Sequence, residues 1–263
     1  MQVKLTEGEQ ARAAAKGTNN LEAYLKYLQA HAHLRRQGIG RVALARQLAE
    51  EAIALDQEYA MAYVVLATAH ISDFWFDTSK SQEQSLAGAT ELLQKAIALD
   101  DSNAEAHGLL GFVFSHKEQH EKALSQAEKA VALSPSSAES HFRLAKVLNF
   151  SDRNEEAIPE YKIAIRLNPI PPSLYFWSLG LAYAETGQYE EGIAWCEKAT
   201  DREPDSIWAR IMMTAVYSWS GRDGEARDEA TEVLRINPNF SLERFAKRAS
   251  PELTNALRNA GLK

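Results

Sequence analysis

The stretch LYFWSLGLAYAETGQYEEGIAWCEKATDREPDS, residues 174–206, decides the fold. It reads as two antiparallel helices, the second opening near Glu190-Glu191, where paired carboxylates complement the positive end of a helix dipole. Leu179 and Gly180 stand side by side in the first helix, and Gly192, Cys196 and Ala199 punctuate the second. A glycine or alanine at a crossing lets two helix axes approach, and the large neighbour fills the space beside it.

Working outward, the end of this stretch recurs along the chain. EAIALDQEY (51–59), KAIALDDSN (95–103), KAVALSPSS (129–137), IAIRLNPIP (163–171), KATDREPDS (198–206) and EVLRINPNF (232–240) align on Ala52, Ala96, Ala130, Ala164, Ala199 and Val233, with spacings of 44, 34, 34, 35 and 34. Seven residues before that column lie Ala45, Ala89, Ala123, Ala157, Gly192 and Ala226. Nineteen before it, in the last four copies, lie Gly111, Ala145, Gly180 and Thr214, preceded by Leu110, Leu144, Leu179 and Met213. Several columns in register at a fixed period of 34 mark a repeat architecture, in which each hairpin buries its apolar face against its neighbours.

Composition agrees. Apolar residues make up 45% and charged residues 25% of 263, enough for a folded core. The net charge of −7 excludes the broad basic face that non-specific nucleic-acid or anionic-membrane binding requires. One cysteine, Cys196, forbids an internal disulfide framework. No run reaches the ~18 apolar residues of a spanning helix, and Met1–Thr6 lacks a secretory core; the chain reads as a cytoplasmic, soluble region.

The organisation follows: a polar tail over 1–19, partly helical through Glu9–Lys16; a repeat array over 20–240, divided at about 57, 103, 137, 172 and 206; and capping helices over 241–263. The first hairpin is expected at 21–36 and 41–55, broken by Gly38 and Gly40. The second unit exceeds the period by 10, around Ser72–Gln84, where Phe74, Trp75 and Phe76 precede a polar stretch. Pro169 and Pro238 end helices because proline cannot continue the hydrogen-bond ladder.

These columns, and Leu179, Gly180, Tyr183, Gly187, Tyr189, Ala199 and Pro204 above all, resemble the tetratricopeptide repeat family. The resemblance implies an all-α, right-handed superhelical solenoid of antiparallel helix pairs, with about six repeats plus the C-terminal cap, acting as a protein-interaction scaffold. The segments 6–29, DFWFDTSKSQEQSL (73–86), NPIPPSLYFWSLGLAY (168–183) and the ending from INPNFSLERF to LRNAGLK are similar, more narrowly, to the C-terminal repeat region of bacterial class III adenylate/guanylate cyclase-like proteins. That likeness implies a regulatory, sensory or self-association module whose parent carries a cyclase domain elsewhere, and assigns no cyclase activity to these residues.

Motifs for catalysis are missing: no glycine-rich phosphate loop, no Gly-x-Ser-x-Gly, no His-Glu-x-x-His and no Cys-x-x-Cys. The chain is therefore read as no enzyme, with no cofactor and no metal. The histidines are scattered, with His31 and His33 two apart and His116 and His120 straddling a turn, whereas a metal needs converging ligands. Cys196 falls in a core column as a small hydrophobe.

In the resembled family the first helix of each hairpin lines the concave face, at the second, fifth, ninth and twelfth positions when the Gly/Ala column is the eighth. Phe112, Phe142, Trp177, Leu181, Trp208 and Ile211 then form an apolar wall, with Lys146 and Asn149 as a polar edge for a peptide backbone or carboxylate. The fifth position carries Val64, Gly108, Phe142, Trp177 and Ile211, so the family's lysine-asparagine carboxylate clamp is missing. The wall has several outlets: a protein or peptide partner, a second copy of the chain, a small apolar ligand, or the chain's own C-terminal helices folded back onto it.

Overall fold

A computed structural model describes residues 17–35, 39–76, 81–247 and 249–263. Among these the fold is all-α, with fourteen helices. They are α1 (Leu21–Arg35), α2 (Ile39–Leu55), α3 (Ala60–Phe76), α4 (Gln82–Leu99), α5 (Ala104–His116), α6 (His120–Leu133), α7 (Ala138–Asn149), α8 (Asn154–Leu167), α9 (Ser173–Glu185), α10 (Tyr189–Arg202), α11 (Ile207–Trp219), α12 (Asp223–Ile236), α13 (Leu242–Ala246) and α14 (Pro251–Asn259). The helix expected through Glu9–Lys16, the break at Gly38 and the polar segment 77–80 lie outside the described residues. The chain divides into two compact units, Met1–Pro135 and Ser136–Lys263.

In the N-terminal unit three hairpins follow one another: α1–α2, α3–α4 and α5–α6. Gly17–Asn19, assigned to the tail on sequence grounds, is tied down through Thr18, and Asn20 holds the start of α1. Thr18 is buried and its hydroxyl donates to Asp56, while Asn20 Nδ2 donates to the Leu55 carbonyl at 2.9 Å and its Oδ1 accepts from Ala23 N. Most of the surplus of the second unit goes into helix. The helices α3 and α4 run 17 and 18 residues, against 13 and 14 for α5 and α6. The added end of α3 carries Phe74 onto His116, and Trp75 onto Phe112 and His116, of α5, with ring centroids 4.9 to 6.3 Å apart.

The C-terminal unit holds hairpins α7–α8, α9–α10 and α11–α12, then α13 and α14. Its first helices lie side by side, α9 against both α7 and α11, and α14 packs on α11. Leu242 N–H donates to the Lys263 carbonyl at 2.7 Å and closes the α13–α14 segment on itself.

The small-residue columns behave as the period requires. Ala52, Ala96, Ala130, Ala164, Ala199 and Val233 are all fully buried. A Cβ added at Gly180 would meet Cys196 Sγ at 2.6 Å and the Gly192 carbonyl at 2.8 Å, and one at Gly111 would meet the Ala123 carbonyl at 2.8 Å. These crossings admit no side chain at their closest points.

The helix ends repeat as well. Asn103, Ser137 and Ser206 cap the first helices α5, α7 and α11 by accepting from the amide three residues on. Each first helix of the last four hairpins stops in a Schellman turn: Gln119, Arg153, Gln188 and Arg222 N–H donate to the carbonyls of Phe114, Leu148, Tyr183 and Tyr217, all at 2.9 Å. The residue before each donor has positive φ: Glu118, Asp152, Gly187 and Gly221.

Each of these hairpins is also braced between residues nineteen apart, by a different chemistry. His107 Nδ1 meets Gln126 Oε1 at 2.6 Å, and His141 Nδ1 meets Glu160 Oε2 at 2.5 Å. Phe176 stacks on Trp195 at 6.0 Å, and Arg210 Nη1 donates to both oxygens of Glu229 at 3.0 and 2.9 Å.

Candidate functional site

Phe112 belongs to the N-terminal unit, and the other expected wall residues to the C-terminal unit. Phe112 is only 8% exposed, beneath Trp75 and beside His116. The lengthened α3 thus supplies its packing, a role that a simple count of repeat positions does not reveal.

In the C-terminal unit the apolar expectations are met by packing rather than by exposure. Phe142 stacks on Tyr175, with centroids 4.3 Å apart and an 11° interplanar angle, and lies 5.7 Å from Tyr161. The Tyr175 hydroxyl donates to Glu139 at 3.0 Å. Trp177, Leu181 and Ile211 are buried in one cluster with Leu242, Leu253, Ala256, Leu257 and Leu262 of the C-terminal segment. Trp208 is half-buried and faces Phe245 of α13 at 6.0 Å. Five of the six wall residues are thus buried and Trp208 is half-buried. The chain's own C-terminal segment joins the core at α11 because α14 presents Leu253, Ala256 and Leu257 on one face.

The polar edge remains at the surface. Lys146 is half-buried on α7, and its ammonium lies 4.9 Å from the centroid of Phe150 and 5.4 Å from that of Trp177. Both distances suit cation–π attraction. Asn149 Nδ2 donates to Asn154 Oδ1 at 2.5 Å and to the carboxylate of Glu185 on α9. Lys146, Asn149, Trp177 and Glu185 thus converge from two neighbouring first helices. Glu185 is an exposed residue, and protein atoms gather around its carboxyl. Desolvation raises it to about 7, opposed by the Asn149 hydrogen bond and Lys146, and reinforced by Asp152 and Glu252. Desolvation lowers Lys146 to about 8, opposed by Glu185.

Glu185 and Phe150 were missed on sequence grounds. Each stands four residues beyond a ninth-position residue, Leu181 or Lys146, so the i, i+4 rule carries the same helix face onto them. The signal was present one step past the last position counted.

Cys196 is fully buried, and burial pushes its thiol well above the ordinary range, which makes it inert. Among the described residues no group of three or more His, Cys, Asp or Glu is gathered to hold a metal ion. No described helix is long and apolar enough to cross a membrane.

Residues 113–169 and 142–207 match the model of the tetratricopeptide repeat family. No curated protein matches the chain. Among solved structures, a chain of the APC/C hetero-tetramer Cut9–Hcn1 is similar with a TM-score of 0.66 at 17% identity, over 91% of this chain and 46% of that one. PilW, a type IV pilus biogenesis factor, is similar with a TM-score of 0.60 at 18% identity, over 76% and 87%. The thermophilic protein TTC0263 of Thermus thermophilus gives 0.59 at 18%, over 73% and 98%. Likeness at these identities is likeness of fold. Residues 113–207 are similar to tetratricopeptide repeats, and the all-α hairpin fold is of that type.

Proposed function

We propose that this chain is a non-catalytic scaffold that holds a protein or peptide partner on the surface formed by Lys146, Asn149 and Glu185, over the buried ring of Trp177. The carrying observation is that these side chains converge from α7 and α9 already ordered, by ring contacts and by the Asn149 hydrogen bonds. Ordered donors and acceptors beside aromatic rings lower the entropic cost of holding a peptide. One fold neighbour was solved in a hetero-tetramer with another protein, a use of the fold that accords with this reading. Its biological setting, in the same proposal, is the regulatory or self-association module of a bacterial signalling protein related to adenylate cyclases. That part rests on the likeness of segments 73–86 and 168–183 and of the two flanks.

The test is selection of displayed random dodecapeptides on the purified chain, followed by titration calorimetry. The expected result is enriched peptides whose affinity falls about tenfold with Lys146→Ala or Asn149→Ala, the usual scale for a contributing interface residue. Peptides that bind both variants as tightly as the wild type would place the surface elsewhere.

A further inference from the structure

Lys146 and Glu185 carry opposite charges on neighbouring helices, yet no ion pair closes between them. The ammonium is held over the rings of Phe150 and Trp177, and one carboxylate oxygen, Oε2, is engaged by Asn149. Asp152 from the α7–α8 turn and Glu252 from α14 add negative potential at Glu185, against Lys146 alone. The Glu185 carboxylate is thus incompletely compensated, and Oε1 remains for a second donor.

Resting on the partner-binding reading above, we infer that this surface selects a partner segment carrying an arginine or lysine side chain, bound by the Glu185 carboxylate. Charge complementarity argues for it. A cationic head completes the pairing of Glu185 and is attracted by Asp152 and Glu252, whereas an acidic segment meets three carboxylates. The alkyl stem of the same side chain can lie along the half-buried Phe150 ring while its head reaches the carboxylate. Arginine suits the position best, because its planar fork can engage Oε1 without displacing Asn149.

The grip is pH-dependent. The groups facing Glu185 are Lys146 and Asn149 of α7, Asp152, Tyr161 of α8 and Glu252 of α14. With its carboxyl raised to about 7, Glu185 is largely neutral at pH 6 and ionised at pH 8, so a basic side chain binds more tightly as pH rises across that interval. Lys146, lowered to about 8, loses its competing charge over the upper part of the same range.

The experiment runs the dodecapeptide selection at pH 8 on wild type and on Glu185→Gln, which keeps an acceptor for Asn149. Glu191→Gln, on the exposed side of α10, removes an equal charge elsewhere. An enriched peptide is then resynthesised with citrulline in place of each arginine. Expected are basic residues enriched on wild type and on Glu191→Gln but not on Glu185→Gln. Citrulline should cost at least about tenfold on wild type and nothing on Glu185→Gln, with weakening from pH 8 to pH 6 for the arginine peptide alone. Enrichment without basic residues, or a citrulline penalty that persists in Glu185→Gln, overturns the inference while leaving the scaffold intact. If Glu185→Gln fails to fold, the citrulline pair and the pH profile on wild type decide alone, a flat profile being the overturning result. No enriched peptide at all overturns the scaffold reading, and this inference with it.

Discussion

Glu118 holds φ at 56°, in a slot where Gly187 and Gly221 hold 79° and 77°. A side chain in the left-handed region costs about 1–2 kcal/mol, less where the unfolded chain gains freedom from glycine. Glu118→Gly should therefore stabilise the fold by about 0.5–1 kcal/mol in urea denaturation. Gly180→Ala should do the reverse, by about 1–3 kcal/mol, because its Cβ enters backbone and Cys196 sulfur at once. Glu185 offers a pH test. Its folded carboxyl is raised from 4.5 to about 7, so the folded state takes up the proton more readily than the unfolded chain. Stability is then lost as pH rises from about 4.5 to about 7 and stays lower above it. In thermal melts Glu185→Gln should gain on wild type between pH 5 and pH 8, and equal melting points at both would remove the premise. At this scale the small columns were legible, since a 34-residue period forces Gly180 and Ala199 into the crossings. The ionisation of Glu185 was not, because it depends on Asn149, Asp152 and Glu252, up to 67 residues away in sequence.

Among the elements, hairpin helices were readable almost to their ends, since periodicity and caps such as Ser137 and Ser206 act within a few residues. The lengthening of α3 and α4 was visible only as surplus. Nothing local says that most of the extra residues enter helices rather than a loop until Phe74 and Trp75 find His116 and Phe112. The same limit left the cover of the apolar wall open among several outlets. A helix pattern shows which face is apolar but not what covers it, and the cover on α11 arrives after a chain reversal beyond Asn237-Pro238. The segment α13–α14 is thus a structural part of the last hairpin. Leu257→Ala should cost about 2–5 kcal/mol by calorimetry or denaturant, because Leu257 is fully buried beside Ile211. Tryptophan emission should shift to the red as Trp208 loses its shelter. A loss below about 0.5 kcal/mol would mean that α14 lies loosely on the array.

Across the whole molecule, −7 net charge and the acidic setting of Glu185 point the same way. Association with a basic peptide should be accelerated by long-range attraction and weakened by salt, as screening shortens the Debye length from about 10 Å at 0.1 M to a few ångströms near 1 M. Stopped-flow association rates should fall with added sodium chloride, and rates indifferent to salt would leave charge no part in capture. Fold class was readable at this scale because a repeat states its architecture several times over. Function was readable only as far as binding. A scaffold's chemistry lies in a few surface side chains that the period leaves free to vary, such as Lys146 and Leu181 at the same position.

The nineteen-residue braces fill one slot with four chemistries: imidazole to amide, imidazole to carboxylate, ring on ring, and guanidinium to carboxylate. Both ends of each brace lie inside a single hairpin. A hairpin lost or duplicated as a block therefore carries its own fastening with it and strands no partner in its neighbours. Point changes meet the opposite rule, since replacing His141 alone takes the imidazole from Glu160. Such an array can lengthen or shorten by whole periods more readily than it can exchange single residues at these slots.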